Sequence, residues 1–411
     1  MEQHGISKLD LKRRNRMQVL RILKQNGPTS RIDIANQLEL TRAAVTIITT
    51  DMIEQGIIYE VGEYKNVGDK ALRGRKKILI DINYHYKFVV GVTVEEDIVS
   101  VGLSTLSGDV LDKLNMSIDS NTEMGKLIEF IEKSIHQVLN NNCLSVDQVL
   151  GIGFGIYPHM YSRLNINVDE EGNPDYSELE KYIKTKTNLP VVIENSIQGT
   201  AMANIDFRKN ISSSVKNMVY IQYGNNINFL FTYLNEPIGA YHNHTDCIDK
   251  VIIDPYSKDV CSCGRRGCVE NELSLKAVRH RIKNLYSKET TPYLYNLTSG
   301  NCDNITYEMI VESYKNGDEG VIKTLDRAID LMAVLINNLN FFANPNRIVL
   351  HLFQYHHDFV YDLLKKSLEK ISGKQVADKL ITSNVSKSHR FLSGCAIAIR
   401  ELFFARGGFD I

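Results

Sequence analysis

Cys261-Ser262-Cys263-Gly264-Arg265-Arg266-Gly267-Cys268 brings three thiols into eight residues, with glycines where a chain must turn tightly. Three thiolates in so short a loop can converge on one zinc ion, because glycine accepts the backbone angles that point the flanking side chains inward. The chain has seven cysteines, and the other four (Cys143, Cys247, Cys302 and Cys395) are scattered. That distribution points to a metal site in a reducing compartment rather than to a disulfide framework. For the fourth ligand His244 is favoured, with His242 and Cys247 as the alternatives close by in sequence. A closed four-ligand shell leaves no position for an activated water, so the expected role of the zinc is structural.

The surrounding chain is 411 residues long, 43% hydrophobic and 24% charged, the balance of a globular protein with two or three domains. Its start carries no apolar signal region, and no run is long enough to span a bilayer, so the expected compartment is the cytoplasm. The net charge of −1 hides an asymmetry. Residues 1–80 hold 15 Lys+Arg against 9 Asp+Glu, and the remainder holds 33 against 40. A basic end on an acidic body suggests nucleic-acid contact confined to that end.

Within that basic end, Met17, Leu20, Ile22 and Leu23 mark the apolar face of a first helix that stops near Asn26-Gly27-Pro28. Ser30, with Asp33 at the capping-box distance, opens a second short helix, and Thr41 opens a third that carries Ala44, Val45, Ile48, Met52 and Ile53 at helical spacing. Two hydrophobic runs, Ile57–Val61 and Lys77–Ile80, flank a polar tip with Lys65, Lys70, Arg73, Arg75 and Lys76. The order predicts a winged helix-turn-helix, with the third helix for the major groove and a basic wing. Arg42, Ala43, Thr46, Thr49 and Thr50 are then candidates to face DNA, Arg reading guanine edges and the methyls packing on thymine. Lys12, Arg13, Arg14 and Arg16, with Arg73, Arg75 and Lys76 of the wing, are candidate phosphate contacts.

From about residue 84 the pattern becomes strand–strand–strand–helix. Phe88–Val94, Ile98–Leu103 and Val149–Ile156 read as strands, as does Pro190–Asn195. A second cycle opens at Asn217–Tyr223 and includes a long helix ending at Phe342-Ala343, then the strand Arg347–Leu352. Two such cycles predict an α/β body of two lobes around a cleft.

Cysteine loop, winged module and duplicated core together resemble the ROK family of repressors, open reading frames and sugar kinases, and in particular its repressor branch. The signature Cys-x-Cys-Gly-x-x-Gly-Cys-x-Glu is matched from Cys261 to Glu270. The resemblance implies a bilobal actin- and hexokinase-like domain behind the winged module. Residues 1–82 would form the DNA-binding domain, 83–200 the first lobe, completed by a C-terminal helix near 393–411, and 201–392 the second lobe with the zinc loop. It also allows kinase chemistry to be tested position by position. The family's first phosphate loop falls at Thr93-Val94-Glu95-Glu96-Asp97, which has no glycine and three carboxylates. The second falls at Gly224–Asn228 and keeps only its first glycine, and the catalytic Asp is replaced by Ser196. An unassisted serine is no general base at neutral pH, so no kinase activity is expected.

Of the family's sugar-contacting set, Asn195 and Glu270 remain, and His159 falls in the corresponding sugar loop. Counting back from Asp254-Pro255 puts Lys250 where the family has its zinc histidine. The expected protein is a repressor of carbohydrate-related genes that binds operator DNA as a homodimer or tetramer, controlled by an effector touching Asn195, Glu270 and His159. A residual sugar kinase and a regulator controlled by a protein partner, its sugar pocket empty, are the alternatives.

Overall fold

The computed structural model describes residues 8–63, 77–119, 121–170, 172–207, 217–238, 248–352 and 357–409. The chain forms two compact units, one from the described parts of Met1–Asn167, Pro174–Ser213 and Ser388–Ile411, the other from those of Val168–Asn173 and Ser214–Lys387.

The first unit begins with three helices, α1 (Lys8–Asn26), α2 (Arg31–Leu38) and α3 (Arg42–Glu54). Val19, Leu20 and Leu23 of α1 are fully buried, as are Ile34 of α2 and Val45 and Met52 of α3, and these side chains make the small core of the module. Strands β1 (Ile58–Glu63) and β2 (Ile78–Ile82) pair antiparallel, and Thr29–Ser30 adds a short third strand on β2. A helix-turn-helix with strands behind it is what the spacing predicts.

Behind the module lies a five-stranded sheet made of β3 (Phe88–Val94), β4 (Ile98–Thr105), β5 (Val110–Ser117), β6 (Val149–Ile156) and β7 (Val191–Asn195), in the order β7-β6-β3-β4-β5. The first three strands are an antiparallel meander, while β6 runs parallel to β3 and β7 parallel to β6. Helix α4 (Met124–Asn141) buries Leu127, Ile131, Ile135 and Val138 along one stripe. Helices α5 (Ser177–Thr187) and α6 (Ser196–Asp206) flank β7 in sequence. The C-terminal helix α11 (Leu392–Ala398) packs its backbone onto β3 and β6. Glycines allow that approach: a Cβ on Gly153 would lie 2.0 Å from Gly394 O. A π-helical turn, Ile399–Phe404, continues α11.

The second unit repeats the plan. Strands β8 (Met218–Tyr223) and β9 (Ile227–Tyr233) form a hairpin, and β10 (Arg347–Leu352) and β11 (Leu380–Thr382) add in parallel, with Glu236–Pro237 at the far edge of β9. One sheet face, with Val219, Ile221, Phe229, Ile348 and Leu350, packs into an apolar core. The short α7 (Val269–Leu273) and α8 (Leu275–Leu285) contribute to that core, as do α9 (Glu319–Ala343) and α10 (His357–Ser372). Among the described residues no helix is long and apolar enough to cross a membrane.

Candidate nucleic-acid interface and metal centre

Both helices of the helix-turn-helix start on side-chain caps. Ser30 Oγ accepts from Asp33 N at 3.2 Å and donates to its carboxylate at 2.6 Å. Thr41 Oγ1 accepts from Ala44 N at 3.2 Å. Glu39 caps α2 in the left-handed region, at φ 55°, and so makes the tight turn between the helices. On α3, Arg42, Ala43, Thr46 and Thr50 are exposed, all on one helical face. Thr46 Oγ1 donates to Arg42 O at 2.8 Å, which leaves its methyl group to meet a partner. Ile47, which the apolar pattern alone does not set apart, belongs to the same face and is 72% exposed.

Thr49 does not belong to that face. It is fully buried, its Oγ1 donates to Val45 O at 2.8 Å, and it accepts from Arg31 Nε at 3.0 Å. Arg31 in turn pairs with Glu60 of β1 at 2.9 Å, so Thr49 ties α3 to α2 and the wing strand. Two of the N-terminal basic residues are likewise used inside the protein. Arg13 Nε and Nη2 both donate to Ala405 O, at 3.1 and 2.9 Å. Arg16 is fully buried against Asp51, Gln55 and Gly407, so it cannot reach a phosphate. Lys12 pairs with Asp51 at 3.0 Å, while Arg14 is exposed. Arg73, Arg75 and Lys76, with the rest of the wing tip, lie outside the described residues.

The cysteine loop folds as its glycines suggest. Gly264 and Gly267 take φ +80° and +70°, and Gly264 N donates back to Cys261 O at 2.9 Å. The sulfurs of Cys261, Cys263 and Cys268 all lie within 4.8 Å of one another, and those of Cys263 and Cys268 are 3.5 Å apart. Thiolates on one tetrahedral zinc, with Zn–S near 2.3 Å, stand about 3.8 Å from each other, so the three sulfurs fit one ion. Cys261 and Cys268 are buried and Cys263 is exposed. The Arg265 backbone N–H and guanidinium pull the Cys263 thiol down to about 6, whereas burial first, then its neighbouring thiols, push Cys268 up to about 12. A dication held by the three sulfurs would supply the charge that keeps them deprotonated. His244, His242 and Cys247 lie outside the described residues.

The positions matched to kinase chemistry hold other interactions. Glu95 and Arg390 are buried together as an ion pair, and Arg390 also reaches Asp97 at 2.7 Å. Thr93 Oγ1 donates to Arg390 O at 2.8 Å. Burial pushes the Glu95 carboxyl up to about 7 despite the guanidinium beside it. The loop expected to face phosphate is thus an acidic pair filled by the chain's own arginine. Ser196 is 1% exposed, and its Oγ meets no hydrogen-bond partner among the described residues.

The candidate effector residues divide between the units. Asn195 is 5% exposed and caps α6, its Oδ1 accepting from Ile197 N at 2.8 Å. His159 is exposed and stacks on Tyr157 with ring centroids 5.2 Å apart. Glu270, in the second unit, accepts from Ile227 N at 3.0 Å, and burial raises its carboxyl above the usual range.

Comparison with known proteins matches residues 89–401 to the model of the ROK family and residues 13–61 to that of the MarR family. A xylose repressor of Caldicellulosiruptor bescii is 26% identical over 346 residues, 83% of this chain and 83% of that protein. Among solved structures, a ROK family transcriptional regulator described as a homolog of the E. coli Mlc protein superposes with a TM-score of 0.70 at 21% identity, covering 97% of this chain and 98% of that one. A ROK family glucokinase from Streptomyces griseus superposes with a TM-score of 0.55 at 16% identity, covering 76% of this chain and 99% of the other.

Proposed function

This chain belongs to the ROK family, and from that premise we propose that it is a DNA-binding transcriptional repressor of carbohydrate-related genes whose operator affinity an effector adjusts. One observation carries the reading: a capped helix-turn-helix with an exposed Arg42, Ala43, Thr46 and Thr50 face precedes a ROK domain whose first phosphate loop is filled by Arg390. The comparison with a xylose repressor over most of both chains supports it. A dimer would present two α3 helices to the halves of a pseudo-palindrome.

The test is selection of bound sequences from fragmented genomic DNA, followed by affinity measurements on the selected site. Arg42→Ala and Thr46→Ala should each cost specific binding about 1–3 kcal/mol and relax preference at single base pairs. Arg14→Ala should weaken binding evenly across sequences and lower the salt slope by about one. Loss of preference with Arg14→Ala but not with Arg42→Ala would reverse the assignment of reader and anchor. A panel of sugars and sugar phosphates on the same site then tests control by an effector, with Asn195, His159 and Glu270 as the contacts to mutate. An operator affinity that no compound on the panel changes would favour control by a protein partner.

We read the domain as non-catalytic. The loop at residues 93–97 has no glycine to cradle a phosphate and is occupied by the Arg390 ion pairs, and Ser196 has no carboxylate with which to take a hydroxyl proton. ATP turnover by purified protein should stay at background with every sugar tested, and sugar-dependent ADP release would overturn this point. Cys261, Cys263 and Cys268 are read as ligands of a structural zinc, with His244 as the fourth. Residues 1–82 are read as the DNA-binding domain, 83–200 with 393–411 as one lobe and 201–392 as the other.

A further inference from the structure

Arg16 sits in the middle of α1 and is fully buried, yet its partners come from opposite ends of the chain. Its Nε donates to Gly407 O at 2.8 Å. Nη1 pairs with Asp51 Oδ2 at 3.2 Å and Nη2 donates to Gln55 Oε1 at 2.8 Å. The guanidinium also lies over the Phe409 ring, 3.9 Å from its centroid. Asp51 is in the last turn of α3, Gln55 is its C-cap, and the two side chains are joined by a 3.1 Å hydrogen bond.

Each partner is held from its own side. Gly407 takes φ +65°, and a Cβ there would stand 2.9 Å from Arg13 O and 3.0 Å from Arg16 Cβ, so the segment approaches α1 as closely as a glycine allows. Arg13 grips the same segment through Ala405 O. Residues 405–409 continue directly from α11 and its π-helical turn, whose helix is seated on β3 and β6. A planar guanidinium can address three acceptors in fixed directions, which a lysine ammonium cannot. A buried charge of this kind adds little net stability over an apolar replacement, and fixing a geometry is its best-attested use.

We propose that Arg16 is a positioning residue for DNA recognition: it clamps the C-terminal end of the α3 recognition helix to the segment 405–409. The angle at which α3 presents its exposed face is then set by the C-terminal element of the ROK domain, not by the winged module alone. A shift of α11 is delivered to α3 through the Arg16 guanidinium, and by reciprocity operator binding is felt at α11. The role of the clamp in DNA recognition rests on the repressor reading above; the clamp itself does not.

The test uses the full chain and three variants: R16K, R16Q and a truncation after Phe404. Hydrogen exchange on the free protein should speed up in the last turn of α3 in each variant, with circular dichroism and the melting of the ROK domain retained. On DNA libraries with variable half-site spacing, the variants should keep the base preference of the wild type and accept several spacings. Specific affinity should fall roughly 2- to 30-fold. R16Q combined with the truncation should lose no more than either alone, because both remove one device. Should R16Q fail to fold, R16K and the truncation carry the comparison, since both keep a cation beside Asp51. Unchanged exchange in α3 would overturn the clamp. Faster exchange with unchanged spacing preference would overturn its role in recognition. A wild-type protein that selects no sequence would instead overturn the repressor reading, and the exchange result would still decide the clamp.

Discussion

Asp206→Asn is expected to destabilise the protein by roughly 3–5 kcal/mol, the cost of removing one partner from a buried charge cluster. Asp206 ends α6 with its side chain 3% exposed, and it holds two cations at once. Lys24 of α1 reaches Oδ1 at 2.8 Å, and Arg400 binds both oxygens, at 2.7 and 3.0 Å. Lys24 also lies over the Phe404 ring at 4.2 Å. Asparagine fills the same volume but leaves two cations facing each other without their counter-charge, so the loss is electrostatic rather than a cavity effect. Urea unfolding should show a lower midpoint with little change in slope. Burial alone would raise the Asp206 carboxyl, but the Arg400 and Lys24 charges outweigh it and bring it down to about 2, from an ordinary 3.8. The sign follows from the protons: below pH 4 the unfolded chain takes up a proton before the folded one does. The contribution, about 2 kcal/mol, is therefore present above pH 4 and lost as pH falls towards 2. The asparagine variant should lack that segment of the acid-unfolding curve. A midpoint within experimental error of the wild type would mean that the cluster does not hold α1 to α6 and the π-helical turn.

The same cluster marks where sequence reading stops. Ser30, Thr41 and the turn at Glu39 are local signals, since caps act on amides a few residues away, and the helix-turn-helix they predict is present. The strands of both cycles are legible for the same reason, because hydrophobic runs carry their own period. Arg13 and Arg16 are not legible, because their acceptors, Ala405 and Gly407, lie about 390 residues further on. A basic run near a helix-turn-helix reads as phosphate contacts until a tertiary partner claims it. Thr49 fails in the same way: its spacing from Arg42 and Thr46 fits the outward face, and only Arg31 on α2 explains why it turns in. Ile47 errs in the opposite direction, since an isoleucine in an apolar helix carries no mark that it points to solvent. At the loop of residues 93–97 the loss of glycines is visible in sequence, but the arginine that fills it comes from the far end of the chain.

Gly267→Ala should undo the proposed metal centre. Gly267 holds φ +70°, a region that costs an alanine about 1–2 kcal/mol before any contact is considered. Its added Cβ would then stand 1.7 Å from Asp254 O, and that backbone is not free to retreat. Ile253 N and Asp254 N both donate to Gly267 O, at 2.8 and 3.3 Å, and Cys268 forms a bridge to Ile252. No side-chain rotation relieves a clash between backbone atoms, so the loop must open and Cys268 must leave the other two sulfurs. Gly264→Ala is the control: its φ of +80° carries the same conformational cost, but an added Cβ there meets nothing within 4 Å. Metal analysis and thiol titration should find zinc bound and the loop thiols protected in the wild type and in Gly264→Ala. In Gly267→Ala the metal should be lost and the loop thiols reactive. Zinc retained in full by Gly267→Ala would show that the ion does not depend on the Cys268 register. A wild type that binds no zinc would remove the structural role assigned to it. Between those outcomes lies the physical point of the loop. Two glycines in the left-handed region bring three sulfurs together, but only Gly267 does so against the neighbouring backbone of Asp254, so the proposed metal centre should tolerate a side chain at one and not at the other.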